Sequence, residues 1–459
     1  MALKDFLKLL PEIKAPLEKK LSFNVKLKWT LIILAGFFIL ANIPLYALGK
    51  NSLERFEFLS IILGTDFGSI ISLGIGPIVT ASIILQLLVG SKIIDIDTKT
   101  EEGKKFFQGI QKLLVFFFII FEAAIFVLMR GLEAVPGYTG IVIFQLILGG
   151  LAIVFMDEVV TKYGFGSGVS LFILAGVGWR IFAGLFQFIG ATGQNCLLDF
   201  SNTACAGKIL VLIQSFINQD ITQALLAISV LIVTVLVFLA VIWAQSLKVE
   251  IPLSFDRLRG YGIKWPLQFF YSGVIPVILT AALLANFQLF GSLLENAGYP
   301  ILGKFSQGQP ISGLAFWLGS SNLVQAGITG SLRGVEILQA FTHLLFFMGF
   351  ATLFSVFWIK TSGMDASSQA KNIMASGLQI PGFRKDERVL EAILSRYVMP
   401  LAIMGGAAIG LLSAVSDLAG TLVGGTSILL AIMITYQLYQ NIAQQHSVDM
   451  HPAFRKFME

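Results

Sequence analysis

The sequence predicts an all-α polytopic membrane protein with ten transmembrane helices in two inverted five-helix halves, plus one re-entrant half-helix after the first span. Three observations lead to this fold class. Of the 459 residues, 56% are hydrophobic and 13% are charged, whereas a soluble domain carries about 25% charged residues. The apolar runs are long and continuous rather than alternating, which excludes a β-barrel. Finally, Lys and Arg are concentrated in alternate loops, as the positive-inside rule requires.

The chain opens with a basic arm, residues 1–28, which holds seven lysines. Its pattern is typical of an amphipathic segment that lies at the membrane interface. No small-residue cleavage site follows a short apolar core, so we expect no cleavable signal peptide. Span 1 follows at about 29–48.

Residues 52–66 form an apolar segment that is too short and too charged to cross a bilayer. Charged side chains flank its apolar centre, 58–63, on both sides. A half-helix that turns back must be buried in protein or face water, because lipid cannot satisfy its backbone ends. The segment therefore predicts a cavity that opens to one side of the membrane.

The remaining spans are apolar runs of about 20 residues, the length that crosses a bilayer. The N-terminal half covers 29–188, a connecting loop covers 189–221, the C-terminal half covers 222–442, and the tail covers 443–459. Polar loops at 246–266 and 360–396 interrupt the second half. Spans 2 to 10 are expected at about 70–90, 113–130, 138–157, 168–188, 222–244, 267–290, 334–359, 397–418 and 422–440.

The distribution of positive charge orients these spans. With the N-terminus in the cytosol and the half-helix returning to its own side, 25 of the 32 Lys and Arg residues lie in cytosolic segments. The positive-inside rule therefore places both termini in the cytosol and explains the basic charge without a nucleic-acid partner. Five spans on each side of the connecting loop give the halves opposite orientation, as in inverted repeats. This inference rests on span counting, since the halves show no clear residue-level similarity.

The candidate chemistry is sparse. There is no GxxxxGK[ST] phosphate loop, and two cysteines without a nearby His make no metal site, so we expect no cofactor and no metal. Glu122 is the clearest mid-span ionisable residue, and an interhelical hydrogen bond and a functional role are both open for it. Ser167 and His343 are the only candidates for an intramembrane protease dyad, but the flanking protease motif is missing.

Several stretches, quoted in order along nearly the whole chain, carry a family resemblance. They closely resemble the archaeal form of the SecY family, whose members form the pore of the protein translocation channel. The stretches are LGIGPIVTASIILQLLVG (73–90), FGSGVSLFILAGV (165–177), KVEIPLSFDRLRG (248–260), IPVILTAALLANFQL (275–289) and PGFRKDERVLEAILSRY (381–397).

The resemblance implies a plug and a pore ring. By motif position, the half-helix 52–66 is the plug that closes the channel from outside. A collar of aliphatic side chains forms the constriction, and the family more often has Ile at the position of Val169. A narrow aliphatic collar would exclude ions by dewetting and fit loosely around a passing chain. The collar residues are Ile75, Val79, Val169, Ile173, Ile278 and Leu430.

The resemblance also implies a seam between spans 2–3 and spans 7–8, through which signal sequences and membrane helices leave into lipid. Its polar cluster matches Thr80, Glu122 and Asn286. This favours a gating role for Glu122. We expect hydrogen bonds among these residues to hold the seam shut.

The cytosolic loops match the ribosome docking site of the family. Arg257, Arg259 and Arg384 occupy its basic positions, although a purely topological role stays open for them. The implied partners are SecE-type and β-type small membrane subunits, the ribosome, signal sequences, nascent polypeptides and the lipid bilayer. Cys196 and Cys205 fall outside the cell, where a disulfide could persist, and a bridge and free thiols are both open.

The resulting interpretation is a passive pore subunit rather than an enzyme, driven by a translating ribosome or by a cytosolic motor. The main alternative is a secondary transporter with inverted repeats and broken helices. Such a transporter needs coupling and substrate groups at mid-membrane, where this chain offers mainly aliphatic side chains. The second alternative is the protease built on Ser167 and His343.

Overall fold

The computed structural model describes most of the chain but not the expected plug. Of the segment 52–66 only Leu53 is described, and Arg257, Arg259 and Arg384 also lie outside the described residues. The described residues are 10–18, 21–51, 53, 67–96, 100–190, 195–197, 205–255, 262–306, 308–375, 378–379 and 386–446.

The expected all-α fold is confirmed, and a helix occupies the place of each expected span. Within the described ranges, eight helices are long and apolar enough to cross a membrane. The other two are span 2, with 15 residues, and span 10, with 22. Spans 1 to 10 are Phe23–Ala41, Gly76–Gly90, Glu101–Leu128, Thr139–Tyr163, Gly168–Phe186, Ile221–Ser246, Ile275–Asn296, Gly334–Thr361, Glu387–Ala419 and Gly425–His446.

Several span boundaries differ from the sequence-based prediction. Span 2 begins at Gly76 rather than near residue 70, because the chain before it runs through turns. Span 7 begins at Ile275 rather than 267, because the preceding residues pair as a strand. Spans 3 and 9 extend about three turns beyond their apolar runs, since a helix that leaves the membrane keeps its own backbone hydrogen bonds. Thr100 caps the extended start of span 3 by accepting from the Gly103 N–H.

The loops that the sequence left without structure contain short helices and strands. The connecting loop 189–221 includes a helix that starts at Lys208, and the loop 246–266 forms an antiparallel hairpin with β7 on its edge. The short helices are Lys208–Ile217, Gly313–Leu318, Leu323–Ile328 and Ala366–Ala375. The strands are β1 Leu48–Asn51, β2 Leu132–Ala134, β3 Lys248–Phe255, β4 Gly262–Gln268, β5 Phe305–Ser306, β6 Gln309–Pro310 and β7 Leu378–Gln379.

The described part of the N-terminal arm packs on the end of span 4. Residues 10–18 form no helix there; instead, the Ile13 N–H donates to Glu158 at 2.9 Å and Lys162 pairs with Glu12 at 2.6 Å. These polar contacts tie the described part of the arm to the end of span 4. We call this side of the bundle the arm face and the opposite side the far face.

The flanks of the segment 52–66 lie together on the far face. The Asn51 side chain donates to the Phe67 carbonyl at 2.8 Å. Strands β1 and β2 tie the same region to the end of span 3. The chain between Asn51 and Phe67 therefore leaves and returns at one place, as a re-entrant segment requires.

The two halves pack on each other along two lines of contact. Span 2 packs against spans 7 and 8, and span 5 packs against span 10. One cluster of buried apolar side chains extends across both halves. Within each half the corresponding neighbours also pack: span 1 on span 4 in the first, and span 6 on span 9 in the second.

Candidate functional site

Five of the six expected collar residues lie on spans 2, 5, 7 and 10, which make contacts between the halves, and Ile75 directly precedes span 2 as its N-cap residue. Of the six, all but Val169 are at most 4% exposed, and Val169 is half-buried. All six belong to or pack on the same apolar cluster. The structure thus brings the expected residues into one apolar region where the halves meet. Their role as a pore ring stays a prediction.

Each collar helix begins close to its collar residue. Spans 2 and 7 start three residues before Val79 and Ile278, and spans 5 and 10 start five residues before Ile173 and Leu430. Spans 2 and 10 start at the far face, and spans 5 and 7 start at the arm face. The region of the collar is therefore surrounded by helix starts that point towards it from both faces.

Spans 2 and 7 begin with the same turn. A glycine with a left-handed backbone, φ +53° at Gly74 and φ +67° at Gly273, stands three residues before a proline in the first helical turn. Glycine adopts this conformation without the steric penalty of other residues, and proline suits the first turn because its missing N–H needs no partner. The collar residue follows each proline by two positions. The halves therefore share a residue-level G-x-x-P signal that span counting overlooked.

Spans 5 and 10 also begin alike. The Asp157 carboxylate, near the end of span 4, accepts from the Val169 N–H at 2.9 Å. The Asp417 carboxylate, near the end of span 9, accepts from the Thr426 N–H at 2.7 Å. In each case the donor is the second residue of the next span, and that span begins with glycine.

Span 4 and span 9, each the fourth span of its half, both contain a pair of adjacent glycines near their middle. A Cβ on Gly149 would lie 1.9 Å from the Ile70 carbonyl oxygen, and one on Gly405 would lie 2.5 Å from the Phe269 carbonyl oxygen. Both carbonyls belong to the segments that lead into spans 2 and 7. The matching stretches are LGGLAI (148–153) and MGGAAI (404–409). These stretches and the two aspartates are the signals that sequence reasoning missed.

A cavity of about 540 Å³ opens on the arm face beside the collar. Leu174, Val274 and Ile434 line its inner end, each within about one helical turn of a collar residue. Both neutral polar side chains, such as Gln437 and Ser170, and apolar side chains, such as Trp358 and Met364, line the remainder. The cavity therefore approaches the collar from the side of the arm.

The expected seam residues form one continuous chain of hydrogen bonds. Asn286 on span 7 donates to the Thr80 hydroxyl on span 2 at 2.9 Å, and this hydroxyl donates to Glu122 on span 3 at 3.0 Å. All three side chains are at most 9% exposed. Buried polar groups of this kind stabilise a helix interface only while they stay paired. The chain crosses between the halves at the seam, and its gating role stays a prediction.

The structure does not support a protease dyad. His343 donates from Nδ1 to the Leu318 carbonyl at 2.7 Å, and its Nε2 lies 3.6 Å from Asp417. Ser167 instead stands at the start of span 5 beside the arm-face cavity. Both ring nitrogens of His343 thus face groups other than Ser167, and the second alternative is wrong.

The two cysteines lie in the loop that connects the halves. The structure joins Cys196 and Cys205 by a disulfide, with their Cα atoms 5.4 Å apart. Both are buried, at 0% and 8% exposed. The two cysteines are nine residues apart in sequence, and their bond closes a small loop after span 5.

The fold and the site define a class: polytopic helical membrane proteins with a buried apolar region where two inverted halves meet. A family model described as SecY matches residues 69–439. The protein translocase subunit SecY of Methanothermobacter thermautotrophicus is 44% identical over 98% of this chain and 96% of the relative. The chain belongs to the SecY family.

Two solved structures agree with this family. One is of a SecY protein whose plug domain is described as stabilising the closed state of the translocation channel and maintaining a membrane seal. It is 37% identical, covers 99% of each chain and has a TM-score of 0.82. The other is Sec61 in a canine ribosome-channel complex from the endoplasmic reticulum, also 37% identical over 99% of each chain, with a TM-score of 0.79.

Proposed function

We propose that this chain is the central pore subunit of a protein-conducting channel. It passes secretory polypeptides across the membrane and releases signal sequences and membrane helices sideways into lipid. The observation that supports this function is the buried apolar region where the two halves meet, in which the six expected collar residues lie. Such a ring of aliphatic side chains bars ions by dewetting yet makes no sequence-specific contact with a passing chain.

Ion conductance of reconstituted vesicles tests the collar. Ile278→Ala combined with Leu430→Ala widens the ring, so the leak per assembled channel rises. Leu411→Ala is the matched control, because Leu411 is 41% exposed on span 9. An unchanged leak in the collar variant, with translocation intact, would show that the seal lies elsewhere.

The lateral seam accounts for release into lipid. Hydrogen bonds between membrane helices contribute about 0.6 kcal/mol on average and up to about 1.7 kcal/mol. Asn286→Leu removes the bond across the halves, so channels open more readily and accept weaker signal sequences. Thr280→Val is the control, because the Thr280 hydroxyl bonds only within its own helix, to the Pro276 carbonyl, among the described residues. Unchanged signal-sequence stringency in Asn286→Leu would contradict the gating role.

The segment 52–66 serves as the plug in this proposal. The paired flanks at Asn51 and Phe67 support a segment that returns to the far face. Deletion of residues 52–66 raises the ion leak of the resting channel while polypeptide transport continues. A deletion channel that stays tight would assign the seal to the collar alone.

The arm face is the cytosolic face in this proposal, with both chain termini in the cytosol and the disulfide loop outside. The domain limits at 1–28, 29–188, 189–221, 222–442 and 443–459 follow this topology. Single-cysteine variants in a Cys196→Ala, Cys205→Ala background test it with a membrane-impermeant thiol reagent. Labelling of an arm-face cysteine from outside intact cells would reverse the assignment.

The partners are a SecE-type subunit, a β-type subunit and the ribosome. Arg257, Arg259 and Arg384 supply positive charge for ribosomal RNA, so ribosome binding weakens steeply as salt rises. The pore has no catalytic task, and the ribosome or a cytosolic motor provides the energy. Purification of the tagged full chain tests this, since both small subunits and ribosomes should accompany it at low salt. Salt-insensitive ribosome binding would contradict the role of the arginines.

A further inference from the structure

The helices that carry Ile173 and Leu430 each begin five residues before that side chain. Five residues of helix span about 7.5 Å, so each helix starts only that far from its collar residue. The two helices start at opposite faces. If the collar lies at one level, as the proposed function requires, the starts stand about 15 Å apart in an apolar layer about 30 Å thick.

A helix start at this depth needs partners for its free N–H groups, because lipid offers none. The residues next to the two starts do not provide them. Ser167 makes no capping hydrogen bond among the described residues, and Gly424 has no side chain. The carboxylates of Asp157 and Asp417 provide them from the preceding span.

The first residue of each helix makes this contact possible. A Cβ on Gly168 would lie 2.5 Å from the Asp157 Cα, and a Cβ on Gly425 would lie 2.3 Å from the Asp417 backbone nitrogen. Only glycine lets the backbone that carries each aspartate come this close to the helix start. Each aspartate thereby holds the following helix at a fixed height and rotation.

We propose that Asp157 and Asp417 are positioning residues, which fix spans 5 and 10 so that Ile173 and Leu430 stay in the collar. The proposal rests on the proposed function of the collar. It adds two carboxylates that touch no substrate and act only through the helices they hold.

The two aspartates respond differently to asparagine. The Asp157 Oδ1 accepts from the Val169 N–H, and the Gly168 N–H also interacts with this carboxylate. Asparagine keeps such an oxygen and is a good helix cap. Asp417 uses both oxygens, because the Thr426 hydroxyl donates to Oδ2 while the Thr426 N–H donates to Oδ1. An amide nitrogen accepts no hydrogen bond, so Asp417→Asn breaks the bond that the Thr426 hydroxyl donates to Oδ2, and a contact there returns only if this hydroxyl reverses its role and donates to Ser413 instead.

The experiment measures ion leak per assembled channel in vesicles that contain the full chain and its small subunits. We expect Asp157→Ala and Asp417→Ala each to raise the leak several-fold. Asp157→Asn should restore a tight channel, whereas Asp417→Asn should not. Asp220→Ala is the matched control, because Asp220 caps span 6, which carries no collar residue, through the Gln223 N–H. Its leak should equal that of the unmodified channel.

The outcomes separate this inference from the collar itself. If Ile278→Ala with Leu430→Ala leaks while assembled Asp157→Ala and Asp417→Ala channels stay tight, the positioning role is overturned and the collar stands. If the collar variant also stays tight, the proposed function fails first. If the alanine variants do not assemble, the comparison of ion leak between Asp157→Asn and Asp417→Asn tests the positioning role. Equal leak in the two asparagine variants, or loss of assembly in both, overturns the proposal.

Discussion

The two halves of the channel start their last helix with the same contact but anchor the aspartate differently. In the first half, Asp157 holds the start of span 5 through a backbone N–H. In the second half, Asp417 holds both the backbone and the hydroxyl of Thr426, and it lies 3.6 Å from His343 on span 8. The local geometry has been kept in both halves, while the surroundings have diverged.

We call the contact between Asp157 and the start of span 5 the first junction, and the contact between Asp417 and the start of span 10 the second junction. The two junctions differ because different segments of the chain surround them. His343 is 1% exposed and also donates to the Leu318 carbonyl, at the end of a short far-face helix. The second junction is therefore linked to span 8, which borders the seam, whereas the first contacts the arm at the end of span 4. Two helices in inverted halves can thus begin with the same capping contact, while the residues that make this contact bind different neighbouring segments.

The glycines that begin spans 5 and 10 should give the largest effects. In Gly425→Ala the new Cβ would lie 1.9 Å from the Ser416 carbonyl carbon, and in Gly168→Ala it would lie 2.5 Å from the Asp157 Cα. Overpacking of this kind costs about 1–3 kcal/mol and occasionally more. We expect Gly425→Ala to lower the thermal stability of the assembled complex more than Gly168→Ala.

The matched control is Gly176→Ala, because a Cβ at Gly176 meets nothing within 4 Å in span 5. This variant should keep or slightly raise stability, since alanine favours helix. If Gly168→Ala and Gly425→Ala behaved like Gly176→Ala, the two close contacts would have no energetic weight and the comparison between junctions would collapse.

Alanine substitutions in the turns before spans 2 and 7 should lower the thermal stability of the complex by similar amounts. Gly74→Ala and Gly273→Ala each place a side chain on a left-handed backbone, which costs about 1–2 kcal/mol. Nothing lies within 4 Å of a Cβ at Gly273, so strain alone acts there. Gly273→Asn should recover part of the loss in thermal stability, because asparagine tolerates this conformation better. An alanine variant as stable as the unmodified complex would argue against the shared turn.

Energetic coupling between His343 and each capping aspartate tests whether the surroundings of the two aspartates differ. Residues in one polar network show interaction energies of about 0.5–3 kcal/mol, whereas distant sites are additive within about 0.5 kcal/mol. A double-mutant cycle of His343→Ala with Asp417→Asn should therefore be non-additive in the free energy of unfolding. The cycle of His343→Ala with Asp157→Asn should be additive. Equal coupling in both cycles would mean that the halves are linked more uniformly than their contacts indicate.

The sequence predicted the order and number of spans because apolar runs and Lys/Arg bias are local signals. It also placed Thr80, Glu122 and Asn286 on one seam, but only through the family resemblance, and the structure brings these side chains within hydrogen-bond distance. The strand pairing of β3 with β4 was missed, although KVEIPLSF (248–255) and GIKWPLQ (262–268) alternate polar and apolar residues as half-buried strands do.

The two capping aspartates were missed for a different reason. Asp157 was assigned to the end of a span, where a charged residue is unremarkable, and Asp417 was not singled out. Their partners, Val169 and Thr426, lie 12 and 9 residues further along the chain. A contact of that separation is invisible to a helical period of 3.6 residues.

The smallest expected effect on thermal stability concerns the end of span 4, which differs from the end of span 9. Beyond Asp417 the chain ends its helix at Gly420, with φ +72°. Beyond Asp157 the Lys162 ammonium instead pairs with Glu12 of the arm, whose side chain is 68% exposed. That hydrogen bond holds the pKa of the Glu12 carboxyl below its ordinary value of 4.5. An exposed ion pair of this type contributes about 0–1 kcal/mol.

The sign of the pH dependence follows from the lowered pKa. The stabilisation is present above the ordinary pKa and is lost as the pH falls through the lowered pKa of the folded state. Glu12→Gln should therefore reduce thermal stability slightly at neutral pH and low salt, and the difference should vanish in high salt because the pair is screened. Glu18→Gln, an exposed change in the same arm, is the control. A Glu12→Gln penalty that persists in high salt would mean that the arm holds span 4 by packing, as the far-face end of span 9 is held, rather than by charge.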